Sequence, residues 1–466
     1  MIKQSTKDRI KFIIGTILVF LFCYMIGLNF TIAAFLLSLI VYIKARPGLK
    51  KVNLLYLILL FTSILATAYF VINHGWSKFY IPFCAIPILT TLLFNRLELS
   101  LLMTLAISIV TASITGNHLH LGVVFFVSGL ISSILVLNAR RRMTIIRAGF
   151  LAGILQAMLL FFIDIFWVVP KEVYYFSYAT LFFNGLASSI IAIGVLPLFE
   201  YLFNTITNIS LLELADFNHP LLQRMILEAP GTYHHSLIVG NLSEAACGAI
   251  GANALLARIG AYYHDIGKLE KPEYFSENQN IFASKHDTLT PSMSKLVITS
   301  HTKDGVELAK KYKLNQSIIN FIRQHHGKSL VYFFYRRALE SLEEDQDIKE
   351  EGFRYPGPKP DSKETAVVML ADSVEAATRA LKEPSPSKIS EVVHKIINNK
   401  FIDGQLDECE LTLKDLEKIA AVFIRLLGGI YHSRINYPEK LKGESNNKKL
   451  PKEDSHRSEN NKEGRT

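Results

Sequence analysis

The hydrophobic positions of this chain form long, almost uninterrupted runs up to about residue 205 and shorter periodic patches after it. The first part separates into eight apolar runs, at about 10–27, 29–44, 53–73, 79–94, 98–115, 120–138, 148–169 and 178–204. Several approach the roughly 20 residues that an α-helix needs to cross the hydrocarbon core of a bilayer, and some are shorter. The pattern predicts a polytopic transmembrane helical domain over residues 1–205.

The number of spans depends on residues 10–44, which are too many for one transmembrane helix and contain the break Gly27-Leu28-Asn29. The positions of basic residues distinguish between seven and eight spans, because Lys and Arg concentrate in the cytosolic loops of membrane proteins. With eight spans, the outer loops hold only Lys78 and Lys171 among Lys and Arg. The N-terminus and inner loops then hold Lys3, Lys7, Arg9, Lys11, Lys44, Arg46, Lys50, Lys51, Arg96, Arg140, Arg141, Arg142 and Arg147. With seven spans the basic N-terminus would lie outside the cell, so a topology with eight spans and both termini in the cytosol is favoured.

After Leu211 the apolar residues recur with the period of amphipathic helices. The predicted helices include residues 291–312, 315–326, 364–382, 386–400 and 411–433. Because alternating β-branched residues are scarce, an all-α domain is predicted over residues 206–437. The charged, Pro- and Gly-containing stretch 343–364 predicts a long surface loop, and the polar residues 438–466 predict a disordered tail.

The composition argues against a nucleic-acid partner and against a structure based on disulfides or a zinc knuckle. The net charge is +9, but part of the excess lies in the short loops of the membrane half and the rest is scattered, so a nucleic-acid polymer is not expected as a partner. The four cysteines, Cys23, Cys84, Cys247 and Cys409, include no CxxC pair. They are typical of small buried hydrophobic residues rather than of a disulfide framework or a zinc knuckle.

Candidate chemistry is concentrated in the second half, where seven of the 14 histidines lie between residues 234 and 326. Imidazole binds transition metals, and a carboxylate bridges two cations. Two such ions roughly 3.5–4 Å apart bind a phosphate and activate water for hydrolysis. The motifs are Tyr233-His234-His235-Ser236, His264-Asp265-Ile266-Gly267-Lys268, Ser300-His301, Gln324-His325-His326-Gly327 and Ala371-Asp372-Ser373. The combined pattern predicts a two-metal site, whereas His286 and His394 are interpreted as ordinary structural residues.

Longer segments around these motifs resemble the HD superfamily of metal-dependent phosphohydrolases. More narrowly, they resemble bacterial seven-helix membrane HD proteins of the PgpH type, which hydrolyse cyclic di-AMP. The segments include GANALLARIGAYYHDIGKLEKPEYFSENQ, ITSHTKDGVELAKKY, FIRQHHGKSLVYFFY and MLADSVEAATRAL, and with the region from Pro197 to Ala246 they span most of 195–382. The resemblance implies a cyclic dinucleotide phosphodiesterase in the bacterial inner membrane, with its HD domain in the cytosol and linear pApA as the first product.

The resemblance also implies a ligand set. His235, His264, Asp265 and Asp372 are expected around one metal, and Asp265, His301, His325 and His326 around the other, with Asp265 as the bridge. His235 is preferred to His234 because HSLIV aligns with the family's histidine motif. Two divalent ions are expected, iron or manganese rather than zinc, because a histidine-rich site of seven ligands favours more than tetrahedral coordination. Lys268 is expected to hold a phosphate oxygen, although a solvated lysine at a helix end is the alternative.

Several expectations differ from the family or remain open. Family members typically carry a large extracellular domain after the first span, where this chain has only Gly27-Leu28-Asn29, so extracellular sensing by that domain is not expected. Asp164 is the clearest charge inside a predicted span and is a functional candidate, unless it only faces a neighbouring helix. Two alternative functions are hydrolysis of another nucleotide and a membrane receptor or transporter with a regulatory, non-catalytic HD domain. The intact ligand set argues against the latter, and the oligomeric state is open.

Overall fold

The computed structural model describes residues 30–46, 52–116, 119–166, 174–279, 285–341 and 348–431. These residues form α-helices and short 3₁₀ turns, and within these ranges the β-structure is limited to one isolated bridge between Leu330 and Arg354. The all-α prediction is therefore confirmed. The predicted first span at 10–27 and the predicted tail at 438–466 lie outside the described residues.

Seven helices make up the described membrane half. They are α1 (Phe30–Ala45), α2 (Leu54–Asn73), α3 (Ala85–Phe94), α4 (Leu97–Ile114), α5 (Leu119–Val136), α6 (Arg142–Phe166) and α7 (Tyr174–Phe203). Five of them, α2 and α4–α7, are long and apolar enough to cross a membrane, while α1 and the segment Lys78–Phe94 are shorter. Each of these helices falls within or overlaps one of the predicted runs from 29–44 onward.

Small residues bring α6 and α7 into close backbone contact. A Cβ atom added at Gly185 would overlap the amide nitrogen of Gly153 and the carbonyl oxygen of Gly149. Such stripes of small residues are typical of helix pairs in membranes, where close packing replaces the hydrophobic effect as the main attraction. Asp164 lies on α6 and accepts a hydrogen bond of 2.9 Å from the Tyr178 hydroxyl of α7, so it faces a neighbouring helix.

Polar contacts bring the predicted inner loops to one end of the bundle. Asn95, after α3, donates to the side chain of Asn138, after α5, at 2.8 Å. Arg46 forms an ion pair with Glu98 at the start of α4. Arg142 forms another with Glu213, which belongs to the helical half. The helical half is therefore attached at the end that carries the basic loops.

Ten α-helices are found in the described part of the second half. They are α8 (Asn208–Leu214), α9 (Pro220–Glu228), α10 (Pro230–Ala249), α11 (Ala254–Tyr263), α12 (Pro291–Lys311), α13 (Gln316–Gln324), α14 (Tyr332–Glu340), α15 (Lys363–Arg379), α16 (Pro386–Ile402) and α17 (Leu413–Ile430). Four of them have Pro in the first turn, where its missing N–H costs no helical hydrogen bond. The side chain of Thr412 caps α17 through a reciprocal contact with Asp415. The predicted boundaries of α12, α15 and α16 agree with these to within a few residues.

The core of the second half surrounds α15, which is buried along most of its length. Helices α10, α11, α16 and α17 pack around it through residues such as Val239, Val368 and Phe423. This arrangement gives the domain a central helix whose inner face carries Asp372. The predicted loop at 343–364 is irregular over its described part except for one 3₁₀ turn, Glu350–Phe353.

Candidate metal centre

Five separate segments bring the predicted site residues together. His235 lies in the first half of α10, and His264 and Asp265 follow α11. His301 lies in the middle of α12, His325 and His326 follow α13, and Asp372 lies on α15. The side chains form two groups of four that share Asp265, and within each group one ligand atom per residue lies within 4.8 Å of the others. The groups are His235, His264, Asp265 and Asp372, and Asp265, His301, His325 and His326.

Local sequence explains why the His264-Asp265 pair sits so close to α12. The chain leaves α11 at His264 and enters a 3₁₀ turn over Ile266–Glu270. A Cβ atom at Gly267 would overlap the backbone carbonyl oxygen of His301. Only glycine permits this approach, and it places the carboxylate of Asp265 within 3.4 Å of His301 Nε2. The glycine in the HDIG motif thus has a packing role that supports the site.

Hydrogen bonds fix the orientation of the buried histidine rings. The Nδ1 atoms of His264 and His301 each lie 2.6 Å from a backbone carbonyl oxygen, those of Ala261 and Ile298. Nδ1 of His325 lies 2.9 Å from the Ile322 carbonyl oxygen. A ring that donates from Nδ1 presents the lone pair of Nε2. The Nε2 atoms of these rings lie 3.1–3.5 Å from the carboxylate of Asp265. Potential ligand atoms from three histidines thus converge on one carboxylate, as in a metal site.

Three buried atoms test whether the residues fit a metal. His264 Nε2 and both carboxylate oxygens of Asp265 are buried and make no hydrogen bond of standard geometry to any described residue. Lys268 Nζ lies 2.8 Å from Asp265 Oδ2, but this is an ion pair without good hydrogen-bond angles. Buried polar atoms are normally satisfied, so unsatisfied ligand atoms that converge on one point fit bound cations.

The pKa values in the cluster differ according to the neighbouring groups. Burial would raise the pKa of Asp265, but His264 and Lys268 outweigh it and hold that pKa well below the ordinary value. Burial lowers the pKa of His301 to about 3 and that of His326 well below its usual range. Both rings are therefore neutral near pH 7, the form that binds metals. Burial also opposes protonation of His235, but hydrogen bonds to Asp372 and Glu375 raise its pKa to about 9.

The structure separates His235 from its neighbour. His235 is 2% exposed, and its Nε2 lies 3.0 Å from Asp372 Oδ1. His234 is exposed and belongs to neither group. His286 is buried, contacts the Tyr274 carbonyl oxygen and packs on Phe334, in agreement with its interpretation as a structural residue.

Lys268 is not the solvated lysine of the alternative interpretation. Its side chain is 12% exposed, and its ammonium contacts Asp265 Oδ2 at 2.8 Å and Glu277 Oε1 at 2.6 Å. Burial would lower the pKa of Lys268, but these two carboxylates outweigh burial and raise it above the ordinary value. Lys268 is therefore charged at the edge of the cluster.

Three residues of the site were missed from the sequence. Glu375 Oε2 lies 2.5 Å from His235 Nδ1, and its position one helical turn after Asp372 is a signal that spacing offers. Glu277 pairs with Lys268 from a short 3₁₀ turn. The ring of Tyr355 lies 4.2 Å from that of His326, although it belongs to the predicted surface loop. Contacts of the last two kinds depend on the tertiary fold and have no local pattern.

Comparisons with known proteins give matches over both halves. A family model described as a 7TM receptor with an intracellular HD hydrolase matches residues 22–207, and an HD domain model matches 232–377. The chain is 41% identical over 440 residues to the cyclic-di-AMP phosphodiesterase PgpH of Bacillus subtilis. It is 38% identical over 411 residues to that of Listeria monocytogenes. These alignments cover 89% and 85% of this chain but 60% and 56% of the relatives, so the chain spans less than two thirds of their length.

Two solved structures are similar to part of this chain. The crystal structure of the L. monocytogenes PgpH HD domain is 48% identical, and the match covers 46% of this chain and 100% of that chain with a TM-score of 0.44. A structure of the same domain in complex with cyclic di-AMP is 49% identical with a TM-score of 0.44. The two family models follow one another in the order of the membrane and helical halves. On the family models and the two PgpH alignments, this chain belongs to the family of seven-helix membrane proteins with an intracellular HD hydrolase domain.

Proposed function

We propose that this protein is a membrane-anchored phosphodiesterase that uses two divalent metal ions to hydrolyse cyclic di-AMP to linear pApA. The observation that carries the proposal is the pair of four-residue groups that share Asp265. A carboxylate with one oxygen toward each group is the arrangement in which a single side chain bridges two cations. Paired cations are a recurrent device for hydrolysing phosphate esters.

The choice of substrate is supported by the relatives. Two curated proteins that are 41% and 38% identical to this chain are named cyclic-di-AMP phosphodiesterases. Both alignments include the segments that hold the proposed ligands, because they cover at least 85% of this chain. Adenine is therefore preferred to guanine in the proposed substrate.

The chain's own residues have distinct roles in the proposed reaction. The five histidines, with Asp265 and Asp372, hold the ions, and the carbonyl and Glu375 contacts keep the rings oriented. Bound ions would supply positive charge beside the phosphate and lower the pKa of water. Lys268, held by Asp265 and Glu277, places an ammonium where charge develops on a phosphate oxygen. Iron or manganese is preferred because each proposed group offers four ligands, of which two in one group and three in the other are imidazole nitrogens.

Domain limits and orientation belong to the same proposal. We assign the membrane domain to 1–205, the HD domain to 206–437 and the tail to 438–466, in the bacterial inner membrane. The pair Arg142–Glu213 attaches the HD domain at the end that bears the basic loops, which supports a cytosolic location. In a variant without native cysteines, a cysteine at Ser77 should react with an impermeant thiol reagent in intact cells. A cysteine at Met143 should react only after the membrane is opened, and its labelling in intact cells would contradict the orientation.

The activity is tested with the purified full chain in detergent, Mn²⁺ and a panel of cyclic dinucleotides and linear nucleotides. We expect cyclic di-AMP to be cleaved to pApA and the activity to disappear when a chelator removes the metal. Faster turnover of a different nucleotide would support an HD phosphohydrolase with another substrate. A protein that purifies without stoichiometric metal and cleaves none of the panel would instead indicate a regulatory domain.

A further inference from the structure

A cleft of about 500 Å³ opens beside the candidate metal centre. Lys295, Leu296 and Thr299 of α12 line one side, and Lys328, Arg354 and Tyr355 line the other. Sites for small molecules commonly occupy about 300–1,000 Å³, so the cleft is large enough for a nucleotide. None of these residues belongs to the proposed ligand set.

The cleft and the metal centre share a wall. The ring of Tyr355 lies 4.2 Å from the ring of His326 and 6.2 Å from that of His301, measured between centroids. Thr299 and Lys328 each lie two residues from one of these histidines along the chain. The cleft and the metal centre are therefore adjacent, with the ring of Tyr355 in contact with both.

The cationic groups of the cleft differ in their availability. Arg354 is engaged, because its guanidinium contacts Glu350 and lies 2.8 Å from Asp403 Oδ1. Neither Lys295 nor Lys328 takes part in an ion pair with any residue that the structure describes. Glu351 is the carboxylate that lines the cleft with them, and it is exposed. Two lysines without an ion-pair partner among the described residues thus line the cleft, together with one exposed carboxylate.

The backbone of Lys328 is held on both sides. Its N–H donates to Gln405 Oε1 at 2.8 Å, and its carbonyl oxygen accepts from Arg354 Nη1 at 2.8 Å. The contacts of Arg354 with Asp403 and Glu350 therefore fix the backbone of Lys328 rather than supply charge to a ligand. A lysine with a fixed backbone and no ion-pair partner is suited to an anion from outside the chain.

We propose that Lys295 and Lys328 bind the second phosphodiester of the dinucleotide, so that the cleft holds the nucleotide that is not being cleaved. This inference rests on the proposed function. A cyclic dinucleotide carries two phosphodiesters, each with one negative charge, and only one of them occupies the metal centre at a time. The other needs a counter-charge nearby, and the two lysines supply it in the cleft beside Tyr355.

The test compares two substrates of the full-length protein with Mn²⁺. Cyclic di-AMP has the second phosphodiester, whereas bis(p-nitrophenyl) phosphate has only the one that is cleaved. Lys295→Met with Lys328→Met should raise KM for cyclic di-AMP about tenfold, since charge-assisted hydrogen bonds to phosphate are among the stronger contacts. The kcat/KM ratio of cyclic di-AMP to the small substrate should fall by a similar factor, and the paired Lys→Arg variant should restore most of it.

Lys311→Met is the matched control, because Lys311 is exposed at the far end of the same helix. It should leave both substrates unchanged. An unchanged KM for cyclic di-AMP in the double Met variant, or an equal loss on both substrates, would overturn the inference while the proposed function stood. Wild-type protein that cleaves only the small substrate would reject cyclic di-AMP as the substrate, and with it this inference, but would leave a phosphodiesterase. Cleavage of neither substrate by wild type would reject the proposed function and this inference together.

Discussion

The two halves of the molecule bury polar groups in opposite ways. In the membrane half the buried polar side chains are mainly hydroxyls that donate to carbonyls of their own helix. Thr104 donates to the Ser100 carbonyl oxygen at 2.6 Å, and Ser108 donates to that of Thr104 at 2.7 Å. In the HD half the buried polar groups include carboxylates and imidazoles gathered in one cluster, with both oxygens of Asp265 lacking a hydrogen bond of standard geometry.

The difference shows which buried polar groups point to chemistry. A hydroxyl that bonds to its own helix costs little in lipid and lets helices approach closely, so it serves packing. A buried charge costs several kcal/mol unless a partner or a metal compensates, so a cluster of them indicates a ligand. Asp164, a functional candidate inside a predicted span, accepts a hydrogen bond from Tyr178 of the neighbouring helix, in agreement with the alternative that it faces that helix.

The largest effect is expected from a substitution that removes the ligand shared by both groups of the HD half. Asp265→Ala should lose both metal ions and reduce hydrolysis to the background rate, because the carboxylate belongs to both groups. Helical content measured by circular dichroism should largely remain, since the core around α15 does not depend on the site. Wild-type turnover with two bound metals in this variant would refute the shared role of Asp265.

The next largest effect is a difference in metal content between variants of two adjacent histidines. His235→Ala should lose about one metal equivalent per chain, because the buried ring belongs to one group only. His234→Ala provides the matched control and should keep both ions, since His234 is exposed. Metal content by elemental analysis decides between them, and the reverse result would move the ligand by one position.

In the membrane half, a larger side chain at the close contact between α6 and α7 tests their packing. Gly185→Leu should destabilise the packing of α6 on α7 by about 3 kcal/mol, the upper end for overpacked interiors. Gly194→Leu, on the same helix, is the control, because a Cβ atom there has no neighbour within 4 Å. Thermal unfolding in detergent should separate the two variants, while a Gly185→Leu protein as stable as wild type would argue against the close contact.

The smallest effect concerns the support of a ligand. Glu375→Gln keeps a hydrogen-bond acceptor for His235 but removes the charge that orients the ring. Changes of this kind typically cost about 10–100-fold in metal affinity. Titration of the metal-free protein with Mn²⁺ measures it. An affinity within twofold of wild type would show that His235 binds its metal without help from the charge of Glu375.

The positions of the helices could be predicted from the sequence better than the contacts between the helices. Long apolar runs and helical periodicity are local properties, so the ends of α2–α7 and α12 were predicted to within six residues. The set of His and Asp ligands was expected because the segments around them resemble the HD family, and the fold brings these side chains together. Tyr355 and Glu277 were missed because each reaches the site from an irregular segment, and only the tertiary fold brings such segments together.

The central claim is that two ions share Asp265. Crystals of the metal-loaded protein, measured above and below the iron and manganese absorption edges, test it most directly. We expect two anomalous peaks roughly 3.5–4 Å apart, one beside each group of four ligands and both next to the Asp265 carboxylate. The same data identify the metal. A single peak, or two peaks of which Asp265 contacts only one, would contradict the proposed binuclear site.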